Sequence, residues 1–100
     1  MENIKKKNKR YKLCLERLPA DENDVSVSEK LELDFENHDD IFKIIELIKA
    51  KDLFIKSSDA LEFAIGLKLF SEVILKNREL SLFAELKLAI NEFMQKLKAL

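Results

Sequence analysis

Arg10-Tyr11-Lys12-Leu13-Cys14-Leu15-Glu16-Arg17 and Lys30-Leu31-Glu32-Leu33-Asp34-Phe35-Glu36 are the two stretches that decide the fold. Each alternates apolar and polar residues, the period of a half-buried β-strand. Leu18 breaks the phase of the first, and Pro19 ends it, because proline cannot donate to a ladder. Ala20-Asp21-Glu22-Asn23-Asp24 reads as a loop. Val25 and Val27 share the apolar parity of the second run, which leaves room for that strand to begin before Lys30.

Two consecutive strands joined by a local loop pair antiparallel. The side chains predict the register. With Leu13 opposite Leu33, Tyr11 meets Phe35 and Leu15 meets Leu31. On the other face Lys12 meets Asp34, Glu16 meets Lys30, Arg17 meets Glu29, Arg10 meets Glu36, and Cys14 lies opposite Glu32. Every charge-on-charge pair in this register is of opposite sign. A two-residue slip one way sets Glu16 on Glu32, and the other way sets Leu15 on Glu29. Cross-strand pairs contribute roughly 0.2–1 kcal/mol each, so several together select one register.

The rest of the chain has helical spacing. Asn37-His38-Asp39-Asp40 supplies cap residues and first-turn acids. Ile41, Ile44, Ile45 and Ile48 then mark a helix to about Lys51. Leu53, Phe54 and Ile55 in the connector are expected to tuck under the core. Ser57 or Ser58 is expected to cap a second helix running to about Arg78, with Asn77 in the left-handed closing position. Ser81 is expected to cap a third. The second helix carries two apolar stripes, Phe63-Leu67-Phe70-Ile74 and Leu61-Ile65-Leu69, and reads as the central helix. Gly66 within it costs roughly 0.8–1 kcal/mol relative to Ala, and is expected to permit a close approach by another element. The third helix has one stripe, Leu82, Phe83, Leu86, Ile90, Phe93 and Leu97. The fold class is therefore α+β: an N-terminal antiparallel β-hairpin followed by three α-helices, β-β-α-α-α. Residues 1–9 read as a flexible basic tail and 10–100 as one α+β domain.

The composition agrees. The 100 residues are 47% hydrophobic and 37% charged. A chain of that size buries roughly 60–70% of its unfolded surface, enough for a core without disulfides or metal. One Gly and one Pro leave few tight turns. Cys14 is the only cysteine, so no internal disulfide forms and paired-cysteine metal sites are excluded. A lone thiol, the lack of a signal-peptide apolar run in Met1–Lys12 and the absence of a spanning stretch place the protein in the cytoplasm.

The net charge of −1 hides an asymmetry. Residues 1–12 carry six basic groups against Glu2, whereas residues 13–40 carry Arg17 and Lys30 against ten acids. Part of this is the internal pairing of the two strands.

Several segments also resemble a small bacterial family known only as a domain of unknown function. They are Arg10-Tyr11; Glu36-Asn37-His38-Asp39-Asp40; Phe63-Ala64-Ile65-Gly66-Leu67-Lys68-Leu69-Phe70 with Glu72; Leu75-Lys76-Asn77-Arg78; Leu82-Phe83; and Phe93-Met94 with Leu97-Lys98. The resemblance covers about residues 9 to 98 and is most specific around Gly66 and Asn77. The chain departs from it at Lys9, where many relatives carry a His. The resemblance implies a bacterial source and a strand-strand-helix-helix-helix order. It implies no activity, cofactor or active site.

The residues name no catalytic, cofactor or metal site either. His38 with Asn37, Asp39 and Asp40 has the residue types of a metal site, but lacks a second ligand-bearing segment; a capping cluster is the stronger reading. No nucleophile motif accompanies His38 for general-base work. A single Gly cannot build a phosphate-binding loop. Lys12 would activate the Cys14 thiol, and Glu16 and Glu32 on the same face would oppose it. Lys68, Glu72 and Lys76 form a ladder at four-residue spacing, which reads as a solvated or salt-bridged face. Lys5, Lys6, Lys7, Lys9, Arg10 and Lys12 form a basic arm of the kind that neutralises phosphate. A sequence pI near 5.9, a single interleaved aromatic at Tyr11 and the acidic segment that follows argue against nucleic acid. The leading expectation is a non-enzymatic protein acting through protein–protein interaction, with nucleic-acid binding by Lys5–Lys12 as the alternative and a small enzyme third. Both long hairpin edges are left open, so a homodimer that pairs equivalent edge strands is expected, the alternative being a monomer in which the second helix covers the hairpin and the charged strand face stays wet. The Leu61-Ile65-Leu69 stripe offers a second surface for it.

Overall fold

A computed structural model describes residues 8–100. Its elements run β1 (Lys9–Glu16), β2 (Lys30–Asn37), α1 (Ile41–Ala50), α2 (Ser57–Lys76), a 3-10 turn (Ser81–Phe83) and α3 (Ala84–Ala99). The β-β-α-α-α order is the one expected from the sequence. The chain divides after Asp39 into two compact units.

The first unit holds the antiparallel hairpin of β1 and β2. Its register is the expected one. Tyr11 opposes Phe35, Leu13 opposes Leu33 and Leu15 opposes Leu31; Arg10, Lys12, Cys14 and Glu16 oppose Glu36, Asp34, Glu32 and Lys30. The Tyr11 and Phe35 rings stack at 5.4 Å with 23° between planes. β1 begins at Lys9, one residue inside the segment expected to be a tail. The second strand starts at Lys30, where its alternating run begins, and does not extend back to Val25. β1 ends at Glu16, so Val25 and Val27 have no strand opposite them, and Asp24 organises the backbone there into a turn. Its carboxylate accepts from the Ala20 N–H at 2.8 Å, the Ser26 N–H at 2.9 Å and the Ser26 hydroxyl at 2.6 Å. These bonds hold the backbone in a turn of the kind Asp and Ser favour.

The second unit holds the helices. Ile41, Ile45 and Ile48 are the buried face of α1, as their spacing predicts, each contributing roughly 1.5–3 kcal/mol on burial. α1 packs on α2. The Phe63 ring on α2 meets Phe54 of the connector at 5.4 Å and Phe93 of α3 at 6.1 Å. α2 is thus the middle helix of this unit.

Several local expectations are corrected. The deepest row of α2 is Ala60, Ala64 and Lys68, with Ile74 further on; Phe63 and Leu67 are half-buried and Phe70 is exposed. Small side chains in that row let a neighbouring helix approach. Gly66 does not serve this purpose, because a Cβ there would meet nothing within 4 Å. Only Phe54 of the connector tucks in, while Leu53 and Ile55 are exposed. Neither Ser57 nor Ser58 caps α2: its N-cap is Lys56, with no side-chain cap bond. Ser81 opens the 3-10 turn, and α3 begins at Ala84. Leu82 is exposed, and Phe93 reaches Phe63 from a partly exposed position. Asn77 closes α2 at φ −122°, outside the left-handed region, with its side-chain amide donating to the Val73 carbonyl at 2.8 Å. The left-handed residue is Asp52 after α1, at φ 53°, a conformation short polar side chains tolerate.

Candidate functional site

The end of β2 holds the polar cluster singled out by sequence. Asn37 is fully buried, and its side-chain oxygen accepts from the Asp39 N–H at 3.0 Å. The Tyr11 hydroxyl donates to the Asp39 carbonyl at 3.0 Å. His38 Nε2 lies 3.6 Å from the Asp39 carboxylate, and both side chains are partly exposed. Asp40 is the N-cap of α1, accepting from the Phe42 and Lys43 N–H groups at 3.1 and 3.3 Å. The capping role therefore falls to Asp40, while Asn37 makes a turn and Asp39 anchors Tyr11. These are structural bonds. Among the described residues no group of three His, Cys, Asp or Glu side chains is placed to hold a metal ion.

The other polar features separate from one another. Cys14 is exposed, with its sulfur 3.9 Å from a Glu32 carboxylate oxygen. Lys12 also reaches Glu32, at 3.7 Å, rather than the Asp34 it opposes. Lys9 opposes Asn37 and Arg10 opposes Glu36, so the end of the basic arm that is described faces an acidic strand. Lys5, Lys6 and Lys7 lie outside the described residues. The ladder on α2 is not uniformly solvated, because Lys68 is buried, with 9% of its surface exposed, and Glu72 is half-buried. Neither lacks a partner.

The feature that sequence reading missed is the far end of the hairpin. Val25 is 95% exposed and Val27 84%. Leu18, Leu15 and Leu31 are exposed as well, Leu15 and Leu31 by more than half. A hollow of about 540 Å³ opens among Leu15, Glu16, Arg17, Glu29, Lys30 and Leu31. Asp21, Glu22, Asp24 and Glu29 lie in the same loop. The loop and the strand ends it joins therefore carry exposed apolar residues and acids together. Its signal was the Asp24-x-Ser26 spacing, which marks a turn and so removes Val25 and Val27 from the strand. Among the described residues no helix is long and apolar enough to cross a membrane.

A two-stranded antiparallel hairpin followed by three helices defines a small α+β protein. The chain belongs to a family described as a domain of unknown function with a solved structure, DUF3861, whose model matches residues 9–99. It is also similar to a protein of unknown function from Pectobacterium atrosepticum, known from a crystal structure. The two are 30% identical, with a TM-score of 0.78 over 94% of this chain and 100% of that one. No curated protein matches the chain.

Proposed function

We propose that this is a non-enzymatic protein of the bacterial cytoplasm that works by binding another protein through the far end of its hairpin. The observation that carries this reading is the exposure of Leu18, Val25 and Val27 in the loop that joins β1 to β2, together with that of Leu15 and Leu31 at the strand ends it connects. Single exposed apolar residues are ordinary, but a group of them with a polar border marks an interaction surface. The acids of the loop select a partner whose apolar patch is ringed by Lys and Arg. The exposed lone thiol of Cys14 suits a reducing compartment.

The test compares the full chain with a Val25→Ser/Val27→Ser variant, each immobilised and exposed to nuclease-treated lysate. The expected result is a protein retained by the first and lost from the second, and released by salt. Identical retention by both overturns the reading. So does binding that disappears with nuclease and with deletion of Met1–Lys9, which would assign the function to the basic arm and nucleic acid.

A further inference from the structure

We propose that the outer edge of β1 pairs with the same edge of a second copy, antiparallel about a two-fold axis at Cys14. The Arg17 N–H donates to the Glu29 carbonyl at 2.9 Å. Hydrogen-bonded and non-bonded pairs alternate along an antiparallel ladder, so Leu15–Leu31 and Leu13–Leu33 are bonded pairs. The N–H and C=O groups of Lys12, Cys14 and Glu16 therefore point away from β2. The sheet has two strands, and among the described residues no third strand meets them.

Charge chooses between the two edges. The outward positions of β2 are Lys30, Glu32, Asp34 and Glu36. A two-fold pairing of β2 with itself that overlaps five or more strand residues sets acid on acid: Glu32 on Glu32, Glu32 on Asp34, Asp34 on Asp34, or Asp34 on Glu36. β1 differs. Centred on Cys14, it sets Lys12 on Glu16 of the partner subunit and Leu13 on Leu15 of the partner subunit, each twice by symmetry. Centring on Lys12 sets Lys12 on itself, and centring on Leu13 brings Lys9 onto Arg17 at both ends. The Cys14 register avoids all like-charge pairs and covers the exposed Leu15 with an apolar neighbour. It joins two hairpins into a four-stranded sheet and removes one open edge from each copy. The strip is short, which places the dimer in the weak class of interfaces.

The full-length protein is measured by light scattering over a dilution series from millimolar to micromolar. The expected mass approaches twice the 11.7 kDa of the chain at the concentrated end and falls to one chain on dilution. Cys14→Pro removes an outward N–H that β2 does not use, and is expected to stay monomeric with its circular dichroism unchanged. Asp34→Pro, the equivalent change on the outer edge of β2, is expected to dimerise as the unaltered chain does. Glu16→Lys leaves the backbone intact, sets like charge on Lys12 of the partner subunit and weakens the dimer about tenfold. A short bis-maleimide is expected to join Cys14 to Cys14 only where the mass has doubled. One chain mass at every concentration overturns the proposal, as does loss of the dimer in Asp34→Pro but not in Cys14→Pro. A doubled mass without the Cys14 cross-link overturns the register. A monomer that still captures a partner through Val25 and Val27 sinks this proposal alone.

Discussion

Arg17 holds Glu29 at two levels: its N–H donates to the Glu29 carbonyl at 2.9 Å, and its guanidinium lies 2.7 Å from the Glu29 carboxylate. The backbone bond extends the ladder one pair past β1 and β2. The ion pair sits above it with both side chains more than half exposed. A double-mutant cycle with Arg17→Ala and Glu29→Ala is expected to give a coupling of about 0.2–1 kcal/mol, falling with added salt. A coupling that salt leaves unchanged would contradict a solvent-screened pair.

Tyr11 does two things for the hairpin, stacking on Phe35 and donating to the Asp39 carbonyl. Tyr11→Phe keeps the ring and removes the donor. The expected cost is about 0.5–1.5 kcal/mol, the net worth of one hydrogen bond. Tyr11→Ala removes the stack too and is expected to cost more. Urea denaturation of the two variants measures the difference, and equal midpoints would show that the ring contributes nothing.

The register was legible because two signals on opposite faces selected the same pairing: apolar parity at Tyr11–Phe35, Leu13–Leu33 and Leu15–Leu31, and opposite charge at Arg10–Glu36, Lys12–Asp34 and Glu16–Lys30. The isoleucine face of α1 was legible for the same reason: one period with no competing pattern. Helix ends were not. Ser57, Ser58 and Ser81 all offer a capping hydroxyl, yet backbone conformation at Lys56, Leu80 and Phe83 decides where the turns begin. Asn77 and Asp52 are both able to take a left-handed conformation, and sequence alone does not say which is asked to. Val25 and Val27 fit the strand by parity, but in this register they would oppose Asp21 and Pro19, beyond the end of β1, and the Asp24 carboxylate holds a turn there instead. The proposed docking surface therefore rests on residues whose parity matches a strand face.

Gly66 and Ala64 lie two residues apart on α2 and respond oppositely to added volume. A Cβ on Gly66 meets nothing within 4 Å, so Gly66→Ala recovers helix propensity alone. It is expected to stabilise the protein by about 0.8–1 kcal/mol. Ala64 is fully buried, and Ala64→Leu is expected to cost about 1–3 kcal/mol through overpacking. Thermal unfolding of the two variants should move in opposite directions. A drop in midpoint for Gly66→Ala would mean that some element does approach that face of α2.

Asp24 gives the loop a pH signature. The Ala20 N–H, the Ser26 hydroxyl and the Ser26 N–H all favour its ionised form and pull its pKa from 3.8 to about 2. The folded loop thus binds the proton more weakly than the unfolded chain does. The contribution of Asp24 to stability is fully present above the unfolded value of 3.8 and is lost as pH falls through about 2. A carboxyl-carbon titration by NMR is expected to place Asp24 near the lower value. Ser26→Ala removes the hydroxyl at 2.6 Å and is expected to bring it back towards 3.8, while leaving the hairpin register unchanged. If Asp24 titrates near 3.8 in the unaltered protein, its carboxylate does not organise the loop. Val25 and Val27 would then lose the turn that keeps them out of the strand and presents them to a partner.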